Sequence, residues 1–235
     1  MPKQDKVQRI NQRRTRPTDV LGVPGVGATF VPPGDITTGT ENSVGATHTH
    51  KLDVELLELG HIVLLVAADG SMVDYGVATD DGLTSALAAI SSGDVVKLPP
   101  CSISGAHTVP DSGTLEGYGE ASVLTGALTL GAGARAQSLQ VLLSEDDAGE
   151  IVGVTTSGSG DPALLRDCRI DVTNATGDVA AVKPGTVELH VRNCDTRAVS
   201  GSGDSYHYAA GEANLYVEGG TMLDVILSTA PVKEV

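Results

Sequence analysis

Tryptophan is absent from this 235-residue chain, phenylalanine occurs once and tyrosine five times, so aromatic residues make up only 3% of it. Any core must therefore be aliphatic, drawn from the Val, Leu, Ile and Ala that dominate a 40% hydrophobic content. The 29 glycines imply frequent turns, which favours short strands over long helices. Cysteine is scarce too. Cys101, Cys168 and Cys194 are odd in number and lack C-x-x-C spacing, so they read as small buried hydrophobes of a protein made in a reducing cytoplasm. The longest apolar run, IVLLVAA at 62–68, is too short to span a bilayer, and the polar N-terminus does not resemble a signal peptide. The expectation is a cytoplasm-made chain without membrane insertion.

Basic residues are outnumbered two to one, giving a net charge of −15, but unevenly. Residues 1–16 hold Lys3, Lys6, Arg9, Arg13, Arg14 and Arg16 against Asp5, a net +5; the remaining nine basic and 29 acidic residues give −20. An acidic body repels nucleic acid and anionic membranes, whereas a basic arm can dock on an acidic partner.

Residues 1–50 are polar, Gly/Pro-punctuated and poorly periodic, an extended arm with too little apolar pattern to form a core alone. Residues 51–77 turn apolar and suit one or two strands or a short helix, a connecting segment. Within DYGVATDDGLTSALAAISSGDVVKLPP, Asp74–Pro100, Asp80 or Asp81 suits an N-cap. Leu83, Leu87 and Ile90, with Ala86 and Ala89, form one apolar face, and Gly93 is a stop, predicting a helix over 81–92. Val95-Val96-Lys97-Leu98 then starts a run of strands that its prolines interrupt.

Beyond residue 100 the chain repeats. Leu139-Gln140-Val141-Leu142, Leu165-Arg166-Asp167-Cys168, Val191-Arg192-Asn193-Cys194 and Val217-Glu218-Gly219-Gly220 follow one another at offsets of 26, with Leu115-Glu116-Gly117 at an offset of 24 before them. A period in the twenties with alternating strands and Asn, Asp or Gly at corners fits a parallel β-helix whose rungs stack about 4.8 Å apart. On that register Cys168 and Cys194 share an inward ladder, while Asp167, Asn193 and Gly219 share a bend. SGSGD, at 157–161 and 200–204, reads as loop.

Asp74-Tyr75-Gly76, Asp80-Asp81-Gly82, Ala86–Ile90, Val95–Pro100 and Leu115-Glu116-Gly117-Tyr118-Gly119 together resemble the opening module of pectate-lyase-like right-handed β-helices, common in bacteriophage tailspikes and tail fibres. The resemblance is close over about 74–125 and extends to 235 by pattern. It implies an all-β fold: a short right-handed parallel β-helix over 78–235, with one N-terminal helix lying across the open end of the first coil. The chain departs from the family in having room for only five or six coils, about 25–30 Å of solenoid, and in Pro100-Cys101-Ser102, where the family has Gly-Thr-Tyr. A final coil ending in STAPVKEV is expected to be covered by trimerisation, a neighbour or further chain.

Glycan cleavage needs two acids flanking the bond. Glu145, Asp146, Asp147 and Glu150 cluster in one loop, Asp167 and Asp195 lie on successive coils, and Glu188 with Glu218 is a further candidate pair. Against cleavage, the loop cluster has the character of a solvated charge run, and aromatic platforms are few, with Tyr206, Tyr208 and Tyr216 in the late coils. There is no G-x-S-x-G elbow, P-loop or dinucleotide fingerprint, and no catalytic or cofactor-binding residue is assigned. His48-Thr49-His50 is the one metal-like pattern. On an extended strand the two imidazoles share a face, so three chains would bring six nitrogens to one axis, suiting iron or another first-row metal; the alternative is two exposed loop histidines.

The resulting expectation is a bacteriophage virion structural protein, such as a tail, neck or head fibre, a spike or a decoration protein. Its arm would bind other virion proteins. Its body would form a homotrimer that hides the apolar segment 51–68 and contacts a neighbour or a host-surface glycan. The alternative is a polysaccharide depolymerase, lyase or hydrolase, or a fragment of one.

Overall fold

The computed structural model describes residues 62–222 and 233–234. The described part is all-β with a single α-helix, as the composition requires. An antiparallel pair, β1 (Ile62–Val66) and β2 (Met72–Val77), opens it. It resolves the ambiguity of 51–77 in favour of strands, residues 51–61 lying outside the described part. Then comes α1 (Asp80–Ala89).

From Val95 the chain advances through rungs of three strands. The first is β3 (Val95–Lys97), β4 (Ser102–Ser104) and β5 (His107–Val109); the second is β6 (Thr114–Glu116), β7 (Val123–Thr125) and β8 (Leu128–Leu130). The third is β9 (Arg135–Gln137), β10 (Gln140–Glu145) and β11 (Ile151–Thr156); the fourth is β12 (Ala163–Arg166), β13 (Arg169–Asn174) and β14 (Val179–Val182). The fifth is β15 (Leu189–Arg192), β16 (Asp195–Ser200) and β17 (Ser205–Tyr208), and a sixth holds β18 (Leu215–Glu218) and β19 (Thr221–Met222). Each strand pairs in parallel with its equivalents in adjacent rungs. Sheet A takes β3, β6, β9, β12, β15 and β18, with β20 (Lys233–Glu234) beyond; sheet B runs from β4 to β19, and sheet C from β5 to β17. β1 joins sheet A antiparallel to β3.

Inward side chains stack into aliphatic columns. One in sheet A runs Val96, Leu115, Ala136, Leu165, Val191 and Val217, all buried. One in sheet C runs His107, Leu128, Val154, Val182 and Tyr208, so its ring-bearing members sit at the two ends.

The structure corrects the repeat register. Leu165 stands opposite Ala136, an offset of 29, and Ala136 opposite Leu115, an offset of 21; only the later steps, Leu165 to Val191 to Val217, keep 26. Leu139 instead shares the corner column before sheet B, which runs Cys101, Ser122, Leu139, Cys168, Cys194 and Gly220. Amides of the following residues bond its carbonyls from rung to rung, as from Val123 to Cys101 (2.9 Å) and from Asp195 to Cys168 (2.9 Å). All three cysteines thus share one column, where a small, weakly polar side chain fits the bend. The bend itself is as expected: Asp167 (φ 52°), Asn193 (φ 55°) and Gly219 (φ 67°) are left-handed, joined by Ser138 (φ 54°) one rung earlier. Short polar residues and glycine tolerate this conformation best. The two SGSGD stretches are not equivalent, one lying between β11 and β12 and the other at the β16–β17 corner.

The helix spans 80–89 rather than 81–92, and its cap is Thr79, whose Oγ1 accepts from the Gly82 amide at 3.3 Å. Thr79 takes the cap because its backbone is extended (φ −131°, ψ 172°), which leaves Asp80 and Asp81 in the first turn, where their charge suits the dipole. The helix stops at Ala89 because Ile90 turns extended, three residues ahead of Gly93. Leu83, Ala86 and Leu87 are buried and join the main core, with Ala89 and Ile90 packed against it.

The B-to-C corner is held by side chains. Asn174, fully buried, donates through Nδ2 to the carbonyls of Asp147 (2.8 Å), Gly149 (3.1 Å) and Asp178 (3.3 Å). Its Oδ1 accepts from the amides of Asp147 (3.0 Å) and Thr176 (3.4 Å). One rung on, in the same column, Ser200 Oγ donates to the Gly177 carbonyl at 2.7 Å and accepts from the Ser202 amide at 3.3 Å. The burial of Asn174 also removes the formal sequon Asn174-Ala175-Thr176 as a modification site. Asn174→Ala leaves several buried backbone groups unpaired and is expected to cost about 3 kcal/mol in urea unfolding, against under about 0.5 kcal/mol for Thr176→Ala; equal costs would contradict the corner role.

Candidate functional site

The outward columns carry the polar chemistry, and most of their charges are paired along the stacking direction. In sheet A the column Lys97, Glu116, Gln137, Arg166, Arg192 and Glu218 contains Lys97–Glu116 (3.2 Å), Arg166–Gln137 (3.0 Å) and Arg192–Glu218 (3.2 Å). In sheet B, Asp171 lies between Arg197 (3.3 Å) and Arg169 (3.8 Å), and Arg169 also reaches Glu120 (3.4 Å). The exposed pairs contribute little stability singly, whereas Asp171 is buried between its two arginines; together they leave few free charges on these faces.

The structure disperses the acids that the sequence offers for glycan cleavage. Asp167 sits at the left-handed bend, pairing with Arg166 (3.3 Å) and accepting from Asn193 Nδ2 (2.9 Å). Asp195 accepts from the Thr221 amide at 3.0 Å. Glu188 engages His190 at 2.9 Å, and Glu218 is the partner of Arg192. In the exposed loop Asp146 accepts from Thr176 Oγ1 (2.9 Å), Asp147 accepts from the Gly149 amide (2.8 Å), and Glu150 pairs with Lys183.

One outward patch combines an aromatic ring with polar groups. Leu164, His190 and Tyr216 follow one another in sheet A, the His190 and Tyr216 rings lying 5.0 Å apart at 47°. Glu188 accepts from Asn214 Nδ2 (3.4 Å) beside them. Of the other late tyrosines, Tyr206 donates its hydroxyl to Asp204 at 2.9 Å, which raises its pKa, while Tyr208 is buried. Interior polarity concentrates in the fifth rung, where Thr196 Oγ1 lies 3.1 Å from His207 Nδ1, both buried.

His48 and His50 lie outside the described residues, as does His61. Among the described residues no cluster of three or more His, Cys, Asp or Glu is placed to hold a metal, and no helix is long and apolar enough to cross a membrane. Cys168 and Cys194 are stacked thiols, the Cys168 amide pointing at Cys194 Sγ (3.4 Å) and Cys168 Sγ donating to the Arg166 carbonyl (3.2 Å). Burial pushes the Cys168 thiol well up, and burial also raises Cys101.

Sequence reasoning missed a step in the stack. At the B-to-C corner the first two rungs turn through Gly105-Ala106 and Gly126-Ala127, whereas the third projects through 146–150 between two six-residue strands. A Cβ on Gly126 would collide with the Gly105 carbonyl, so these tight corners require glycine. Above them lies a groove of about 390 Å³, lined by Gly105, Thr125, Gly126, Leu142, Ser144 and Glu145 among others. The signal available in the sequence was the jump in spacing between Gly-Ala corners and the long acidic loop.

Comparisons with known proteins found no matching family model, no matching curated protein and no matching solved structure.

Burial raises the Tyr208 hydroxyl from 10.0 to about 12, a hydrogen bond with Thr196 opposing it. The unfolded chain releases this proton first, so the stabilisation is complete below pH 10 and is lost as pH rises towards 12. Tyr208→Phe is expected to remove roughly 2–3 kcal/mol of the stability lost over that window, read by urea unfolding at successive pH values; an unchanged slope would place Tyr208 in solvent.

Proposed function

We propose that this chain is a bacteriophage virion structural protein, a fibre, spike or decoration component whose body is a short right-handed parallel β-helix. The observation that carries the reading is the rotation of the chain through three parallel sheets, rung upon rung, behind a helix that packs on the first rungs through Leu83, Ala86 and Leu87. It is supported by the resemblance of Asp74–Thr125 to the opening module of tailspike and tail-fibre β-helices.

In this reading the arm 1–50, with its basic residues at 1–16, anchors the protein to other virion proteins, and the body presents repeated side-chain columns to a receptor or a neighbour. Function is mechanical and adhesive, carried by a stiff stack most of whose lateral charges are internally paired. Homotrimerisation, with a first-row metal at His48 and His50, belongs to the same proposal. Host-surface glycan contact is favoured by the Tyr216, His190 and Glu188 patch. Cleavage by a depolymerase is the less supported reading, because Glu188, Glu218 and Asp167 are each engaged with a cationic or histidine partner.

The test is the mass of the native protein by light scattering, with and without a chelator. A mass near three times 23.9 kDa that falls on chelation is expected. A trimer indifferent to chelation removes the metal but keeps the fibre, whereas a compact monomer overturns the trimeric reading and makes a glycan-cleavage assay decisive.

A further inference from the structure

The step in sheet B leaves half of a strand unpaired. β10 is six residues long, but β7 pairs only with Gln140 and Val141. On its other side β13 pairs with all six, Gln140 to Glu145. Leu142–Glu145 therefore has a strand on one side and, among the described residues, none on the other.

The direction of the backbone groups follows from the ladder. The Gln140 amide donates towards the second rung, to Ser122 at 2.9 Å, whereas the Glu145 carbonyl accepts from Ala175 at 3.1 Å on the fourth-rung side. Backbone groups alternate along a strand, so Leu142 and Ser144 face the second rung. Leu124 lies at the last paired level, which leaves the Leu142 carbonyl and the Ser144 amide and carbonyl turned into the groove.

The floor beneath them is Gly105, Ala106, Gly126 and Ala127, small enough for another backbone to approach. Natural sheets guard such edges with charged side chains, Pro or a bulge; Leu142–Ser144 holds none of these, and Glu145 at the open end is the one charge. Leu142 is 38% exposed on the rim, one of the few large apolar side chains so exposed.

Charge identifies the occupant. The groove lining contains no cation, and its open end carries Glu145 followed by Asp146 and Asp147. None of these three makes an ion pair among the described residues, in contrast to Glu150 with Lys183. We propose that this groove accepts an extended, cationic polypeptide segment of a partner protein by strand addition to β10. Its backbone would pair with Leu142 and Ser144, an apolar side chain would lie against Leu142, and lysine or arginine would face Glu145–Asp147. The proposal does not require the virion reading, since it rests on the edge and the groove alone.

The test uses the full chain and a fluorescein-labelled peptide of six alternating lysine and valine residues, followed by anisotropy at physiological salt. Saturable binding is expected. It should weaken about tenfold or more when alternate peptide amides are N-methylated, when lysine is replaced by glutamate, and in the variants Ser144→Pro and Glu145→Lys. Ser144→Pro removes the hydroxyl and the amide that faces the groove but leaves the bonds to β13 in place, as proline does on an edge strand, so its thermal midpoint should stay close to that of the parent. Should that variant fail to fold, the N-methylated peptide on the unaltered chain decides alone. Absence of saturable binding overturns the proposal, as does equal binding of the N-methylated peptide, which would mean charge attraction without strand pairing.

Discussion

Backbone hydrogen bonds in the body of this protein run from rung to rung, and everything else in the structure accommodates that one direction. A parallel ladder places each side chain about 4.8 Å from its equivalents above and below, so a residue must tolerate near-copies of itself as its closest neighbours. Aliphatic side chains do so while burying apolar surface on both faces of contact. Large rings are harder to fit into an unbroken column of this kind, which gives the near-absence of aromatics a physical reason. Where rings do enter sheet C they stand at its ends, His107 and Tyr208, with Leu128, Val154 and Val182 between them.

The same spacing governs the polar groups. Like charges stacked along an outward column would repel; opposite ones stand side by side at Lys97 with Glu116 and at Arg192 with Glu218, and where Arg166 meets Arg192 each guanidinium turns to another partner, Arg166 to Gln137 and Asp167, Arg192 to Glu218. At the bends, stacking demands a left-handed backbone in successive rungs, met by Ser138, Asp167, Asn193 and Gly219. At the wide corner it demands partners for turn carbonyls, met by Asn174 and then Ser200. Net charge is consequently a poor guide to any one face. The excess acid resides in places such as 145–147, where no rung lies beneath to supply a partner.

Much of this was legible in the sequence, and the failures are informative. The turn-rich aliphatic composition pointed to short strands, and the shared positions of Asp167, Asn193 and Gly219 identified the bend, because both follow from local conformational limits. The register between Leu139 and Leu165 was misread, since a corner insertion changes the rung length without changing the look of a Leu-polar-Val stretch. Leu139 belongs with Cys168, three positions away from the tempting match. The helix cap was misplaced for a similar reason: Thr79 and Asp80 are both able caps, and only the backbone angle at Thr79 separates them. The pairing of the acids was the least legible feature, because whether a carboxylate is free or paired depends on residues about 26 positions away, as with Arg192 and Glu218.

The unequal rungs shape the flank of the stack. Offsets of 21 from His107 to Leu128 and 26 from Leu128 to Val154 mean that the stack widens between its second and third rungs, and widening cannot occur without exposing the overhanging part of a strand. A stack of uniform rungs would have open edges only at its two ends. This one has an additional edge on its flank at Leu142–Glu145, stiffened by β13 behind it and by the Asn174 corner beside it. A rigid, laterally open edge is a poor place for solvent alone, because its amides and carbonyls are already held in strand geometry. An incoming strand therefore has little ordering left to impose on the protein, and the main entropic cost falls on the segment that docks. That asymmetry makes the step, rather than the dispersed carboxylates, the part of the surface whose geometry is committed before any partner arrives.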